Sequence, residues 1–215
     1  MKVLITGASG GIGSAACRKF LENGQDVIGM DRLPGTVSHE RYLHIIHDIR
    51  NREYPDIPEL RVLVNCAGIQ AQSEEDIDVD LTATIALSEH YAASGTLKAV
   101  VNVASASGIT GSEFPHYAAA KGGLCAYTKN LALRLAPDAC VNSVCPGAVL
   151  TSINEHILSD KKLFDAVANE SLLKKWSDPE EIAEWIYFLT VTNKSMTGQD
   201  LLIDNGEILK SNFIW

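Results

Sequence analysis

Tyr117 and Lys121 lie four residues apart in the sequence HYAAAKGG, at the start of a stretch with a helical pattern. In a helix this spacing puts both side chains on one face, one turn apart. A free tyrosine has a pKa of about 10, but a nearby ammonium stabilises the phenolate, and each unit of downward shift corresponds to about 1.4 kcal/mol. Upstream, the segment VVNVASASG contains Ser105, whose hydroxyl can hydrogen-bond a carbonyl or alcohol oxygen. Together the three residues predict a proton-transfer site, although a tyrosine and lysine at this spacing are by themselves usually an ordinary exposed pair.

A second candidate site follows the first apolar run, KVLIT, which leads into TGASGGIG and then into a helical pattern. Glycines between a first strand and a helix let backbone amides approach a pyrophosphate at the positive end of the helix dipole. The spacing fits Gly7, Gly11 and Gly13, or Gly7, Gly10 and Gly13. Eighteen residues after Gly13, Asp31 ends the next apolar run, where a carboxylate accepts hydrogen bonds from an adenosine ribose. A tight turn and a strand-capping acid are the structural alternative, but strand, turn, helix and spaced acid together favour dinucleotide binding.

The residues after the second predicted strand also bear on the choice of dinucleotide. Asp31 favours NAD over NADP, because a 2′-phosphate at this point would meet like charge. Arg32 follows directly and weakens the preference, since a guanidinium can pair with that phosphate. We therefore predict NAD as the cofactor and NADP as the less favoured one.

Short apolar runs alternate with helical patterns along the chain, without an internal repeat or a linker. Runs of β-branched residues that do not alternate with polar ones predict strands buried on both faces, and the strand–helix alternation predicts a parallel sheet with right-handed crossovers. The predicted strands are Val3–Thr6, Val27–Asp31, Tyr42–Ile46, Val62–Asn65, Ala99–Ala104, Ala139–Val144 and Leu201–Asp204; the predicted helices are Ile12–Asn23, about Val79–Ala93, Tyr117–Leu135 and Pro179–Leu189. We predict one α/β domain over residues 1–215, a Rossmann-type doubly wound parallel sheet of about seven strands flanked by helices.

The composition indicates a globular protein and argues against several functions. With 46% hydrophobic and 21% charged residues, the 215-residue chain has enough apolar material for a core. The net charge of −9 disfavours nucleic acid or an anionic membrane surface as a partner, because both require a basic patch. KVLIT is too short for a signal peptide or a membrane span, so we expect a soluble cytoplasmic protein.

No metal site is predicted from the spacing of cysteines and histidines. The five cysteines are Cys17, Cys66, Cys125, Cys140 and Cys145, and no two of them form a CxxC pair. A reduced cysteine in an apolar segment behaves as a small hydrophobic residue. His44 and His47 lie three apart, but in a strand-like run they would point to opposite faces.

Taken together and in order, the motifs resemble those of the short-chain dehydrogenase/reductase family, along essentially the whole chain. The resemblance rests on TGASGGIG near the start, Asp31, HDI at 47–49, NCAG at 65–68, VNVASASG at 101–108, YAAAK at 117–121, PGAVLT at 146–151 and TGQDLLIDNG at 197–206. Several motifs in the correct order are far more specific than any one of them.

The resemblance implies a role for each matching residue. The residues implied to bind the cofactor are Gly7, Ser9, Gly11, Ile12 and Gly13 in the glycine-rich loop; Asp31, Arg32, Asp48 and Ile49 at the adenosine end; Asn65, Ala67 and Gly68 after the fourth strand; and Pro146, Gly147, Val149 and Thr151 at the carboxamide. Ser105 matches the substrate-orienting serine and Tyr117 the general acid/base. Lys121 matches the residue that lowers the tyrosine pKa and binds the nicotinamide ribose.

Asp80 is the main departure from the family pattern. The usual asparagine on the fourth helix, in a VNL context, is replaced here by aspartate in VDL. That asparagine helps hold a proton-relay water near the lysine, partly through its main-chain carbonyl. An aspartate keeps the size and the backbone group but replaces an amide donor with a carboxylate. That carboxylate would either order water or trap Lys121 in an ion pair. We keep Asp80 in the predicted catalytic set with Ser105, Tyr117 and Lys121.

The chain is also short for the family in the intervals from Asp48 to Asn65 and from Gly68 to Asp80. PDIPEL in the first interval carries two prolines, which favour a turn over a crossover helix. After PGAVLT comes a segment that is often a mobile lid in the family. Its apolar members are Ile153, Ile157, Leu158, Leu163, Phe164 and Val167, most of which we expect in the core and some facing the pocket. The tail NFIW, ending at Trp215, is expected to be buried in the fold or at a subunit contact.

The predicted function is therefore an NAD(H)-dependent oxidoreductase that interconverts a secondary alcohol and a ketone, expected as a homodimer or homotetramer. The predicted pocket residues, chosen by proximity to the motifs, are Ile69, Gln70, Ser107, Ile109, Glu113, Phe114, His116 and Ala148, a mixture that fits a steroid, a polyol, an acyl thioester or a small ketone. Two alternatives stay open. One is a non-catalytic dinucleotide-binding sensor or scaffold, favoured by Asp80 and the trimmed loops; the other is the sugar-nucleotide epimerase branch, which shares the glycine spacing but needs an extra C-terminal substrate region.

Overall fold

The computed structural model describes residues 1–112 and 114–209. Its seven strands are β1 (Lys2–Thr6), β2 (Asp26–Asp31), β3 (Tyr42–Ile46), β4 (Leu60–Asn65), β5 (Ala99–Val103), β6 (Cys140–Pro146) and β7 (Asp200–Ile203). They form one sheet in the order β3-β2-β1-β4-β5-β6-β7, and every neighbouring pair is parallel. The strand order reverses between β1 and β4, and in such sheets ligands bind beyond the carboxyl ends of the strands at this switch point.

Helices follow β1, β4, β5 and β6, whereas β2, β3 and β4 follow one another without a helix among the described residues between them. The helices are α1 (Gly11–Glu22), α2 (Glu75–Ile77), α3 (Thr84–Ala92), α4 (Ser107–Thr110), α5 (Pro115–Leu135), α6 (Glu155–Leu158), α7 (Lys161–Ala168) and α8 (Pro179–Tyr187). Short π-helical turns cover Asp78–Ala83 and Phe188–Thr192, and 3-10 turns cover Ser152–Asn154 and Glu207–Leu209. The predicted Rossmann-type parallel sheet of seven strands is confirmed, and each predicted strand overlaps an observed one.

The core lies in two layers, one on each face of the sheet. On one face, Val62 and Val64 of β4 pack with Phe20 of α1 and Ile182 of α8. On the other face, Leu63 packs with residues of α3 and α5. Successive residues of β4 therefore face opposite layers, and all three are fully buried, which explains the unbroken apolar run. Burial of each such leucine or phenylalanine contributes about 2 kcal/mol.

Two segments can be compared with the sequence predictions, namely the shortened segment between β3 and β4 and the lid-like segment after β6. Residues 47–59, between β3 and β4, contain turns and extended chain rather than a helix, as the prolines of PDIPEL predict. The lid-like segment contains short helices, but the prediction that most of its apolar residues lie in the core is wrong. Ile153 is 53% exposed and Leu163 is 42% exposed, and none of the six apolar residues belongs to the buried core.

Two further expectations concern the ends of the chain and the membrane. The tail NFIW lies outside the described residues. Among the residues that are described, no helix is long and apolar enough to cross a membrane.

Candidate active site

A cleft of about 650 Å³ opens at the carboxyl ends of the central strands. Its wall contains all the predicted catalytic and cofactor-binding residues except Asn65 and Asp80, namely Gly7, Ser9, Gly11, Ile12, Gly13, Asp31, Arg32, Asp48, Ile49, Ala67, Gly68, Ser105, Tyr117, Lys121, Pro146, Gly147, Val149 and Thr151. Asn65 and Asp80 are buried behind the wall. The Asn65 amide donates to Ser88 Oγ and Asn102 Oδ1, both at 2.8 Å, so its side chain ties β4 to β5 and α3 beneath the cleft.

The glycine-rich loop brings bare backbone to one end of this cleft. Gly10 is the N-cap of α1 and has no side chain to accept from the first-turn amides, which leaves these donors for a ligand. A Cβ on Gly13 would lie 2.0 Å from the carbonyl oxygen of Gly7, and a Cβ on Gly7 would lie 2.7 Å from the Ala67 nitrogen. The start of α1, the turn after β1 and the end of β4 thus approach as closely as backbone allows. This arrangement fits the pyrophosphate of a dinucleotide.

Asp31 is held rigidly at the end of β2. Its Oδ2 accepts from the Ser9 amide at 3.0 Å, and its Oδ1 accepts from the Leu33 amide at 2.9 Å. Each carboxylate oxygen still has a lone pair for a further donor. Arg32 is exposed on the same wall. The acid expected beside an adenosine ribose is therefore fixed in place, with a cation next to it.

Arg50 is a cleft residue that the sequence predictions missed. Its guanidinium contacts both oxygens of Asp48, with the shortest distance 2.6 Å from Nη2 to Oδ2, and Nη1 lies 2.9 Å from Glu75 Oε1. The Arg50 hydrogen bonds lower the pKa of Asp48 to about 2. The only signal in the sequence was its place two residues after Asp48. The acid expected at the adenine ring is thus an ionised carboxylate clamped by arginine.

Tyr117 and Lys121 occupy the first turns of α5, where Pro115 starts the helix. Lys121 Nζ lies 5.5 Å from the centroid of the Tyr117 ring and donates to the Val103 carbonyl oxygen at 3.2 Å. Asp80 also contacts the ammonium, with Oδ2 at 3.2 Å from Nζ, and its Oδ1 accepts from the Ile69 amide at 2.8 Å. The ammonium of Lys121 thus lies close to both a phenol ring and a buried carboxylate.

Burial governs the charges of this group. Desolvation is the largest single effect on Lys121 and would lower its pKa, but Asp80, Tyr117 and Cys66 together outweigh it, so the pKa is raised and the ammonium is retained. Burial raises the pKa of Asp80, and Lys121 opposes that rise. Burial also raises the pKa of the Cys66 thiol, which lines the cleft nearby, to about 12. The thiol is therefore neutral at physiological pH, and Lys121 is the cation that faces Tyr117.

Ser105 follows β5 and is buried at the floor of the cleft. Its Oγ accepts from the Ser107 amide at 3.1 Å and lies 3.2 Å from Ser107 Oγ. These contacts fix one rotamer of a hydroxyl that belongs to the same cleft as Tyr117.

Within residues 1–112 and 114–209, four of the predicted pocket residues line the cleft, namely Ile69, Gln70, Ser107 and Ala148. Three others lie outside its wall, namely Ile109, Phe114 and His116. Glu113 lies outside the described residues. From the lid-like segment, Ile153, Ile157 and Val167 line the cleft, while Phe164 packs edge-on against Trp176. Trp176 and Glu207 also line the cleft and were not predicted; Trp176 lies far from any motif, whereas Glu207 directly follows TGQDLLIDNG and could have been included by proximity.

A parallel sheet with this strand order, a glycine-rich turn before α1 and a cleft at the switch point define a dinucleotide-binding α/β protein. A family model described as enoyl-(acyl carrier protein) reductase matches residues 55–207. The 3-oxoacyl-(acyl-carrier-protein) reductase FabG of Thermotoga maritima is 31% identical over 96% of this chain and 97% of its own length. This chain belongs to the short-chain dehydrogenase/reductase family of oxidoreductases.

Two solved structures support the same assignment. One is a 4-hydroxyisoleucine dehydrogenase complexed with NADH, which is 27% identical, covers 98% of this chain and 99% of its own, and has a TM-score of 0.87. The other is a putative 2-deoxy-d-gluconate 3-dehydrogenase from Agrobacterium tumefaciens with bound NADP, at 26% identity, with coverage of 97% and 96% and a TM-score of 0.88. The family thus uses nicotinamide dinucleotides, and its members with either cofactor share this fold.

Proposed function

We propose that this protein is an NAD(H)-dependent oxidoreductase that interconverts a secondary alcohol and a ketone, with Tyr117 as the general acid/base. The observation that carries the proposal is the side-by-side placement of Tyr117 and the charged Lys121 in the cleft that also holds the glycine-rich loop. A dinucleotide-binding sensor would have no need of this pair beside its ligand. Relatives that are named as dehydrogenases and reductases support the same reaction class.

The proton is handled by the chain's own residues. The Lys121 ammonium stabilises the phenolate of Tyr117, which makes Tyr117 able to take a proton from an alcohol or return one to a ketone oxygen. Ser105 donates a hydrogen bond to the same substrate oxygen and so holds it beside the phenol. When bound, the nicotinamide dinucleotide accepts or supplies the hydride.

Binding of the dinucleotide is assigned to three parts of the cleft. The amides at the start of α1 would receive the pyrophosphate, and Asp31 would receive the ribose hydroxyls. Asp48, held ionised by Arg50, would contact the adenine. The fixed carboxylate of Asp31 supports NAD over NADP, because a 2′-phosphate would be repelled there.

The test replaces Tyr117 by phenylalanine and measures both NADH binding and turnover. Tyr117→Phe is expected to keep the fold and to bind NADH within about threefold of wild type, while kcat/KM falls by about 10²- to 10⁴-fold, the usual contribution of general acid–base catalysis. Tyr127→Phe is the matched control. Tyr127 lies on the same helix but donates to Glu89 Oε1 at 2.7 Å, away from the cleft, so this variant should turn over normally.

Two outcomes would overturn the proposal. Retained turnover in Tyr117→Phe would remove the acid/base assignment. Tight NADH binding by the wild type without hydride transfer, across a panel of secondary alcohols and ketones, would favour the sensor instead.

A further inference from the structure

Two cysteines that are far apart in the sequence meet behind the cleft. Cys125 Sγ on α5 lies 3.8 Å from Cys145 Sγ on β6, and both side chains are buried. Asp200 at the start of β7 is the third member, since one of its carboxylate oxygens and the two sulfurs all lie within 4.8 Å of one another. We propose that Cys125, Cys145 and Asp200 form a binding site for a thiophilic divalent cation of the zinc or cadmium type.

The sheet register explains why the three groups converge. Ser143 pairs with Asp200 across β6 and β7, and Cys145 lies two residues after Ser143 on β6. The side chains of Ser143, Cys145 and Asp200 therefore project from the same face of the sheet. That face is covered by α5, which contributes Cys125. The Ser143 hydroxyl donates to Asp200 Oδ1 at 2.5 Å and lies 3.8 Å from Cys145 Sγ. The carboxylate is thus held on the cysteine side by an outer hydrogen bond of the kind that orients metal ligands.

The separation of the sulfurs matches tetrahedral coordination. Two thiolates about 2.3 Å from a tetrahedral zinc ion lie about 3.8 Å apart, which is the distance between Cys125 Sγ and Cys145 Sγ. Two sulfurs and one carboxylate oxygen provide three ligands, and soft thiolates select zinc or cadmium over magnesium or calcium.

The charges of the site also balance when the cation is bound. Two thiolates, the Asp200 carboxylate, the Lys129 ammonium that pairs with Asp200, and one divalent cation sum to zero. Binding breaks two S–H bonds and forms two metal–sulfur bonds, and both protons pass to solvent, with no change of oxidation state. The side chains of Asp200 and Lys129 are 18% and 53% exposed and provide the entry path.

We expect a cation bound at this site to affect the proposed reaction, and this part of the inference rests on the proposed function. Cys125 is one helical turn after Lys121, and Cys145 directly precedes Pro146 in the cleft wall. Because the sulfurs already lie at the coordination distance, a bound cation would cross-link α5 to β6 and restrain both of these residues. We therefore expect bound zinc or cadmium to inhibit turnover.

The binding test does not depend on turnover. Fully reduced protein is titrated with Cd²⁺, followed by the ultraviolet thiolate-to-cadmium charge-transfer band, and with Zn²⁺ in competition with a chromogenic chelator. We expect one equivalent to bind and two protons to be released. Cys125→Ser and Cys145→Ser should each lower the affinity by more than about 100-fold, and Asp200→Asn by about 10-fold, since even outer-shell partners contribute about 10- to 100-fold.

Cys140→Ser is the matched control, because Cys140 starts the same strand but is not part of the cluster. It should leave the binding and the basal activity unchanged. Binding that persists in Cys125→Ser and Asp200→Asn, or that disappears in Cys66→Ser alone, would overturn the proposal. Loss of two free thiols under mild peroxide, with no cation bound to the reduced protein, would also overturn it and would identify a redox pair. Cation binding in a protein without turnover would instead leave the site standing and refute only the proposed function.

Discussion

Asp80 and Lys121 form a buried ion pair, with 3.2 Å between Oδ2 and Nζ and with side-chain exposures of 0% and 6%. The sequence left two outcomes open for the aspartate at this position, an ordered water or an ion pair with the lysine, and the structure has the ion pair. A carboxylate this close to the ammonium offsets part of the positive field that reaches the Tyr117 ring, 5.5 Å from Nζ. Asp80 thereby connects the main departure from the family pattern to the proposed proton chemistry of the site.

The first prediction is that Asp80→Asn moves the pH profile of alcohol oxidation to lower pH at both limbs. While Lys121 remains charged, loss of the carboxylate exposes Tyr117 to a stronger positive field, so its pKa falls and the acid limb moves down. Asp80 is also the strongest of the groups that raise the pKa of Lys121 against desolvation, so in its absence the lysine loses its proton at lower pH and the alkaline limb moves down too. We expect shifts of about one pH unit in kcat/KM, the size typical of a nearby charge.

Asp76→Asn is the matched control for this profile. Asp76 is fully buried one turn earlier, and its carboxylate accepts from the amides of Ala71 and Ser73 at 2.6 and 3.3 Å rather than contacting Lys121. Asp76 reaches the site only through its weak repulsion of Asp80, so its variant should move the limbs much less than Asp80→Asn does. Unchanged limbs in Asp80→Asn would mean that the ion pair is not coupled to the titrating proton.

The second prediction separates two serines at the floor of the cleft. Ser105→Ala should lower kcat by about 10²- to 10³-fold, the usual loss when a donor to a reacting oxygen is removed. Ser107→Ala should lower it by less than about tenfold, because the Ser107 amide that fixes Ser105 Oγ at 3.1 Å is retained. Steady-state kinetics on one secondary alcohol are sufficient. Equal losses of kcat in Ser105→Ala and Ser107→Ala would contradict the assignment of the substrate contact to the Ser105 hydroxyl.

The sequence predicted those parts of the fold and site that follow from short motifs. Residues as distant as Gly13 and Thr151 could be assigned to one cleft because the carboxyl ends of parallel strands meet at one edge of the sheet. The unbroken apolar runs of β4 and β5 predicted strands buried on both faces, and this is what the structure has.

The features that were missed depend on contacts between segments without a motif. Arg50 reaches Asp48 and Glu75 through a long flexible side chain, and no spacing encodes that reach. Cys125 and Cys145 lie twenty residues apart, so a search for CxxC pairs passes over them, and only the packing of α5 on β6 brings their sulfurs together. The exposed face of the lid-like segment was misassigned because helical periodicity identifies an apolar face without telling what covers it.

The third prediction concerns the choice of cofactor. Wild type should bind NADH more tightly than NADPH, and Asp31→Asn should reduce that ratio by at least about tenfold, or about 1.4 kcal/mol, because the charge facing a 2′-phosphate is removed while the side-chain size is kept. Titration with each nucleotide can follow the intrinsic tryptophan fluorescence, to which Trp176 in the cleft wall contributes. Arg32→Ala is the opposing variant and should weaken NADPH binding alone. A wild type that prefers NADPH would mean that Arg32 outweighs Asp31.

The fourth prediction compares two glycines in one loop. In Gly13→Ala the new Cβ would lie 2.0 Å from the Gly7 carbonyl oxygen, a backbone atom that cannot rotate away, so the turn and the start of α1 must separate. In Gly10→Ala the nearest atom is the same oxygen at 3.3 Å, and the backbone at φ −78° and ψ 170° is extended chain that alanine adopts freely. Urea unfolding should give a loss of about 1–3 kcal/mol or more for Gly13→Ala and less than about 1 kcal/mol for Gly10→Ala. Because both substitutions add one methyl group to the same loop, similar losses would contradict the close approach of α1 to the turn after β1, on which the proposed pyrophosphate site depends.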